Sequence, residues 1–118
     1  MIITKGMIQA SYGYAKQVFV FHKQIVKTTA VNNLSRQIGM RRGSAGDYVG
    51  AFYAMMSGDK YTRTINTEAT RHYLENINKD YGADQLKIAL KAVKKHTEYY
   101  GNLSNGKLRS IEKLLESF

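Results

Sequence analysis

The residues best suited to chemistry in this chain are two adjacent arginines, Arg41 and Arg42, followed by Gly43 and Ser44. A guanidinium group can hold a phosphate through two parallel hydrogen bonds, and the free N–H groups at the start of a helix also favour an anion. Residues 44–47 (SAGD) resemble a capping box, which predicts that a helix starts at Ser44. The pattern therefore predicts a phosphate clamp at a helix start. An ordinary solvated loop is the alternative.

Residue patterns typical of catalysis are weak. The three histidines, His22, His72 and His96, share no zinc-ligand spacing, and we interpret them as packing residues. The chain has no cysteine, which excludes thiolate ligands and a cysteine nucleophile. A metal-dependent nuclease needs clustered acids, and the first 46 residues contain none. We therefore expect no enzyme activity, no metal and no cofactor.

The charge of the chain is unevenly distributed. Across 118 residues there are 18 basic and 9 acidic side chains, a net charge of +9, and the first acid is Asp47. The basic residues that precede it are Lys5, Lys16, Lys23, Lys27, Arg36, Arg41 and Arg42. Such asymmetry predicts a polyanionic partner. An acidic protein surface, or a surplus that only aids solubility, stays open.

Helical periodicity places four of these cations on one side of a predicted helix. Residues 5–27 read as a single long amphipathic helix with a broad apolar arc. On its wheel Lys5, Lys16, Lys23 and Lys27 fall within a narrow sector. Tyr12 and Phe19 border this lysine stripe, so Tyr12 is the tyrosine for which we most expect a functional role.

A second basic segment lies in the predicted loop over residues 59–65, where Lys60 and Arg63 flank Tyr61. Alternating cations and aromatic rings in a loop suit the tracking of a nucleic-acid backbone and base stacking. The alternative is that Tyr61 folds onto the core and the cations are merely hydrated.

A further run of lysines, within residues 87–95, is interpreted differently. Asp84 and Glu98 lie three or four residues from its members on the same predicted helix, within reach for ion pairs. We interpret this run as a solvated helix face.

The elements that must position these residues are all helical. Alternation typical of strands is absent, and glycines at 39, 58, 82 and 101 end predicted helices. The predicted segments are residues 5–27, 30–38, 44–57, 67–81, 84–100 and 105–117. We expect an all-α protein, with residues 1–118 forming a compact single-domain bundle of five to six helices. No segment reads as a membrane span or signal peptide, which favours the cytoplasm.

Three motifs resemble a known module. They are residues 39–48 (GMRRGSAGDY), 58–66 (GDKYTRTIN) and 96–100 (HTEYY). Together they are similar to the helical module found ahead of HNH nuclease domains in McrA-type restriction endonucleases, over residues 39–100. The resemblance implies a non-catalytic helical domain that assists DNA engagement or assembly in a DNA-cleaving system. The chain has no HNH motif, so the resemblance does not extend to cleavage.

The sequence therefore predicts a non-catalytic nucleic-acid-binding module in a restriction, defence or mobile-element system, with DNA expected rather than RNA. Its contacts would be mainly to phosphates. The predicted site residues are Lys16, Lys23, Lys27, Arg36, Arg41, Arg42, Ser44, Lys60 and Arg63. The alternative is a protein-interaction module, such as a phage anti-defence inhibitor or an adaptor, that docks an acidic partner surface.

Overall fold

A computed structural model describes residues 2–19, 25–102 and 107–118. Within these ranges the chain forms six α-helices and no strand, so the all-α prediction is confirmed. The helices are α1 (Lys5–Phe19), α2 (Lys27–Ile38), α3 (Arg42–Ser57), α4 (Thr67–Tyr81), α5 (Ala83–Gly101) and α6 (Arg109–Leu115). No helix in the described ranges combines the length and the apolar character that a membrane crossing requires.

The chain divides into two compact units, Met1–Tyr53 and Ala54–Phe118. The first unit contains α1, α2 and most of α3, and the second contains the end of α3 with α4, α5 and α6. The assignment of residues 1–118 to one domain stays a prediction.

The single helix predicted over residues 5–27 is wrong. Helix α1 ends at Phe19, and Val26 has an extended backbone from which α2 starts at Lys27. The residues from 18 to 29 are mostly β-branched or aromatic, and such side chains lose rotamer freedom in a helix. The chain has no proline to interrupt a continuous helix here, but these residues are weak helix formers and do not stabilise one. Residues 20–24 lie outside the described part of the chain.

Helix α3 starts two residues before the predicted Ser44. Its first turn closes with a hydrogen bond of 2.8 Å from the Ala45 N–H to the Arg41 carbonyl. Ser44 is therefore a half-buried residue of the first turn and not the N-cap, and the predicted capping box is wrong. The contacts of Met40 explain the early start: its buried side chain receives a hydrogen bond from Ser11 of α1 at 3.3 Å and fixes the chain directly after α2.

The first unit is built on the packing of α1 against α2 and on contacts of both with α3. Tyr12 of α1 meets Phe52 of α3 edge to face, with ring centroids 5.4 Å apart. Helix α2 ends as predicted at Gly39, whose φ of 87° is accessible to glycine at little cost. The Gly39 N–H bonds the Leu34 carbonyl, the six-to-one contact of a Schellman ending, and the Met40 N–H bonds the same carbonyl at 3.1 Å.

In the second unit α4, α5 and α6 pack on one another. The bounds of α4 agree with the prediction because both ends carry local signals: the Asn66 side chain accepts from the Ala69 N–H at 2.7 Å, and Gly82 follows the last turn. Helix α6 is shorter than predicted and starts at Arg109. The predicted start at Asn105 lies outside the described residues.

Candidate nucleic-acid interface

Two arginines of the first unit, Arg36 and Arg42, lie on the side of α2 that carries Asn32, and Arg41 directly precedes Arg42 in the chain. The Arg42 guanidinium, in the first turn of α3, donates a hydrogen bond to the Asn32 side-chain oxygen on α2. Arg36 lies four residues after Asn32, on the same face of α2. The contact with Asn32 therefore brings Arg42 to the side of α2 that carries Arg36. Arg36, Arg41 and Arg42, all exposed, are called the arginine cluster below.

Arg41 and Arg42 lie at the start of α3, where the helix dipole makes their positive charges unfavourable. The N-terminal end of a helix carries partial positive charge, and two cations there repel it. The first turn of α3 contains no acidic residue to offset the repulsion. An anion bound at this end would relieve it. Arg42 also keeps donors for such an anion, because a guanidinium has about five N–H groups and only one is directed at Asn32.

The lysine stripe does not exist as predicted. Lys16 lies on α1, with its ammonium 5.0 Å from the centre of the Tyr12 ring, whereas Lys27 opens α2. Lys23 lies outside the described residues. Lys27 is nine residues before Arg36 on α2, which puts the two on opposite sides of that helix. Of the described cations that the sequence predicted as site residues in this unit, Lys16 and Lys27 therefore lie on different helices, and Lys27 lies on the opposite side of α2 from Arg36.

An aromatic pair lies near these two lysines. Phe19, at the end of α1, contacts Tyr53 of α3 with ring centroids 4.8 Å apart, and Tyr53 remains 45% exposed. Lys16 lies one turn before Phe19 on α1. The Lys27 ammonium is 3.6 Å from the point that a Cβ atom at Gly50 would occupy, and Gly50 is one turn before Tyr53. Lys16, Phe19, Lys27 and Tyr53 are called the lysine–aromatic patch.

Tyr12 is a core residue, contrary to its predicted functional role. It is only 5% exposed and packs on Phe52. An exposed aromatic residue of the first unit is instead Tyr53, which the sequence analysis did not single out. Helical periodicity misses it because α3 is apolar on nearly every side and only the packing reveals which side is open.

In the second unit His96 fastens the loop that precedes α4. Its Nδ1 lies 2.6 Å from the Tyr61 carbonyl and its Nε2 lies 2.8 Å from the Thr64 hydroxyl. A carbonyl can only accept, so Nδ1 carries the proton and the Thr64 hydroxyl donates to Nε2. Burial lowers the pKa of His96, although the bond to the Tyr61 carbonyl opposes the shift. His96 is thus a neutral packing residue, as the sequence predicted.

The loop presents its cations but not its aromatic ring. Tyr61 is stacked on His96 at 4.2 Å and only 8% exposed, and burial raises its pKa. It is therefore closed to base stacking. Lys60 and Arg63 are exposed, and the Lys60 ammonium lies 4.5 Å from the centre of the Tyr99 ring.

A basic pocket in the second unit was not predicted as a site. Lys87, Lys91 and Lys95 line a pocket of about 390 Å³ beside Gly58, at the end of α3. The Lys95 ammonium donates to the Gly58 carbonyl at 2.8 Å, and the Gln85 amide donates to the Met56 carbonyl at 2.9 Å. The two side chains satisfy helix-terminal carbonyls that would otherwise lack partners. The spacing of four residues between Lys87, Lys91 and Lys95 could have indicated that they share one face of α5. In the structure this face lies beside the C-terminal end of α3.

A second pocket of the same unit, about 410 Å³, is bordered by the start of α4 and by residues 107–111. Lys107 and Arg109 contribute cations, and Thr67 and Ser110 contribute hydroxyl groups. Ile65 and Ile111, both buried, supply apolar surface. The sequence analysis singled out none of these residues, because the pocket joins segments about forty positions apart in the chain.

No group of three or more histidine, cysteine or acidic side chains within the described ranges could hold a metal ion. His72 is half-buried, and burial lowers its pKa against the opposing effect of Glu75 and Glu68. His22 lies outside the described residues. What the described surface offers chemically is cationic hydrogen-bond donors and one exposed aromatic pair.

We compared the chain with known protein families, curated proteins and solved structures. No protein-family model, no curated protein and no solved structure matches the chain. The resemblance to the helical module of McrA-type restriction endonucleases stays a prediction.

Proposed function

We propose that this protein binds nucleic acid through phosphate contacts on its first unit, without catalysing a reaction. The observation that carries the proposal is the arginine cluster: Asn32 brings Arg42 to the face of α2 that bears Arg36, and Arg41 adjoins the same helix start. Arginine is suited to phosphate because its planar group can donate two parallel hydrogen bonds. Ser44 lies in the same first turn of α3.

The charge of the first unit supports the same partner. Residues 1–53 contain seven basic side chains and one acid, a net charge of +6, whereas residues 54–118 carry +3. A surface of one sign attracts a polyanion from a distance and speeds its encounter. Lys60 and Arg63 are exposed cations of the second unit. A place in a restriction, defence or mobile-element system rests on the sequence resemblance alone, and a cytoplasmic location stays a prediction.

The test is a binding titration with dye-labelled duplex DNA, single-stranded DNA and RNA at several salt concentrations. Each phosphate contact should contribute a slope of about −0.9 on duplex DNA, or about −0.7 on a single strand, to the logarithm of the binding constant against the logarithm of salt. No binding at low salt, or binding that does not depend on salt, contradicts the proposal.

The same titration separates the alternative of an acidic protein partner. Polyglutamate of matched charge presents carboxylates without phosphates or bases, and it should compete poorly for the labelled strand. Polyglutamate that binds more tightly than every nucleic acid would favour a module that docks an acidic protein surface.

A further inference from the structure

We propose that the lysine–aromatic patch is a stacking site for an unpaired base, so that the preferred partner is a single-stranded nucleic acid. This inference rests on the proposed function and names its substrate class. Tyr53 is 45% exposed, although Tyr48, Phe52 and Met55 of the same helix are buried. Much of its ring is therefore available outside the core.

The ring is held in place, which stacking requires. Phe19 contacts it edge to face, with an angle of 76° between the ring planes and 4.8 Å between the centroids. An edge-to-face contact covers at most one face of the tyrosine ring, so at least one face is left unused by it. Every base has an aromatic face, so a fixed and exposed ring can bind bases with little sequence preference.

Cations lie near the two rings along the helices that carry them, although the Lys16 ammonium itself lies over the Tyr12 ring. Lys16 is one turn from Phe19 on α1, and the Lys27 ammonium lies beside Gly50, one turn from Tyr53 on α3. Gly50 allows this approach: a side chain larger than a methyl group would occupy the space that the ammonium takes. Aromatic rings bordered by lysines are the combination found in channels that follow a single strand.

Duplex DNA does not suit this patch, because its bases are stacked within the helix and offer only their edges in the grooves. Single-stranded DNA and RNA share the required chemistry, an unstacked base with a phosphate on either side. The net charge of +6 on residues 1–53 argues against a cationic occupant.

The experiment compares Tyr53→Ala and Tyr53→Phe with the wild-type protein on three single strands: oligo(dT), oligo(U) and an abasic strand of equal length. Loss of one stacked base should weaken binding to oligo(dT) or oligo(U) about 5- to 150-fold in Tyr53→Ala. Tyr53→Phe should bind as the wild type does, because the ring is kept. The abasic strand, which has phosphates but no bases, should bind Tyr53→Ala and the wild type equally, with the same dependence on salt.

Tyr81→Ala serves as the matched control, since Tyr81 is a half-buried tyrosine of α4 outside the patch. Its affinity for all three strands should remain that of the wild type. Equal binding of oligo(dT) by the wild type and Tyr53→Ala, with binding itself intact, overturns this inference and leaves the proposed function standing. Failure of the wild type to bind any strand overturns both. Loss of polyglutamate binding in Tyr53→Ala, without loss of oligo(dT) binding, makes the patch a protein interface and also overturns the inference.

Discussion

At the residue scale His96 shows how one side chain organises the loop before α4. Its ring donates to the Tyr61 carbonyl, accepts from the Thr64 hydroxyl and stacks on the Tyr61 ring. Nδ1 must carry a proton to donate to the Tyr61 carbonyl, and in the neutral ring Nε2 accepts from the Thr64 hydroxyl. A second proton on Nε2 would reverse that bond, since a hydroxyl can also accept. What opposes protonation is burial, because the folded chain excludes water from the charged ring.

This exclusion predicts that stability falls as the pH is lowered. Burial holds the pKa of His96 below its ordinary value, so an unfolded chain takes up a proton below about pH 6.5 that the folded chain does not. The stabilisation is complete above that pH, and up to about 1.4 kcal/mol is lost for each pH unit below it until the folded ring itself titrates. Urea unfolding between neutral pH and about pH 5.5 measures the effect.

The control for this prediction is His96→Asn, which keeps an amide donor but cannot titrate. Its unfolding free energy should be lower at neutral pH and should change less with pH than that of the wild type. His72, whose pKa is also lowered by burial, contributes equally to both proteins and cancels in the comparison. Parallel pH dependence in the two proteins would mean that the folded protein protonates His96 freely.

At the element scale the glycines of two helices provide a matched stability test. Gly13 lies inside α1, and a Cβ atom there would meet nothing within 4 Å. Gly58 ends α3 with a φ of 73°, and a Cβ atom there would lie 3.1 Å from Ile88 Cγ2. Gly13→Ala should raise the free energy of unfolding by about 0.5–1 kcal/mol, because alanine loses less backbone entropy in a helix.

Gly58→Ala makes the same chemical change with the opposite result. We expect a loss of about 1–2 kcal/mol from the left-handed backbone alone, with further cost from the crowded Ile88 methyl group. Thermal or urea unfolding measures both variants. Stabilisation by Gly58→Ala, or destabilisation by Gly13→Ala, would contradict the helix bounds given for α1 and α3.

Helix bounds followed from the sequence only where a local signal marks them. Asn66 and Gly82 bracket α4, and that prediction is confirmed at both ends. No proline or glycine separates α1 from α2, and the break there depends on weak helix formers whose conformation packing decides. The early start of α3 depends on a contact between Ser11 and Met40, 29 residues apart, which no local pattern contains.

At the scale of the whole molecule the charge is partitioned between the two units. The first carries +6 and the second +3, and the second places three of its lysines around the end of α3. The concentration of cations in the early residues could be read from the sequence directly. Their grouping could not, because the arginine cluster depends on the bond from Arg42 to Asn32 and Lys27 belongs to a different helix from Lys16.

The central claim is that the arginine cluster contacts phosphates, and the salt dependence of binding tests it most directly. Arg36→Gln with Arg41→Gln removes two charges and leaves the bond from Arg42 to Asn32 in place. Lys79→Gln with Lys113→Gln, on exposed positions of α4 and α6, removes the same charge from the second unit. Circular dichroism of each double variant checks that the helices are retained.

The account predicts that the slope of the logarithm of the binding constant against the logarithm of salt becomes shallower by about 1.4 on single-stranded DNA, or about 1.8 on duplex DNA, for the arginine double variant. The lysine double variant should keep the wild-type slope. Equal slopes for the wild type and the arginine double variant, or an equal change in both double variants, would contradict the claim.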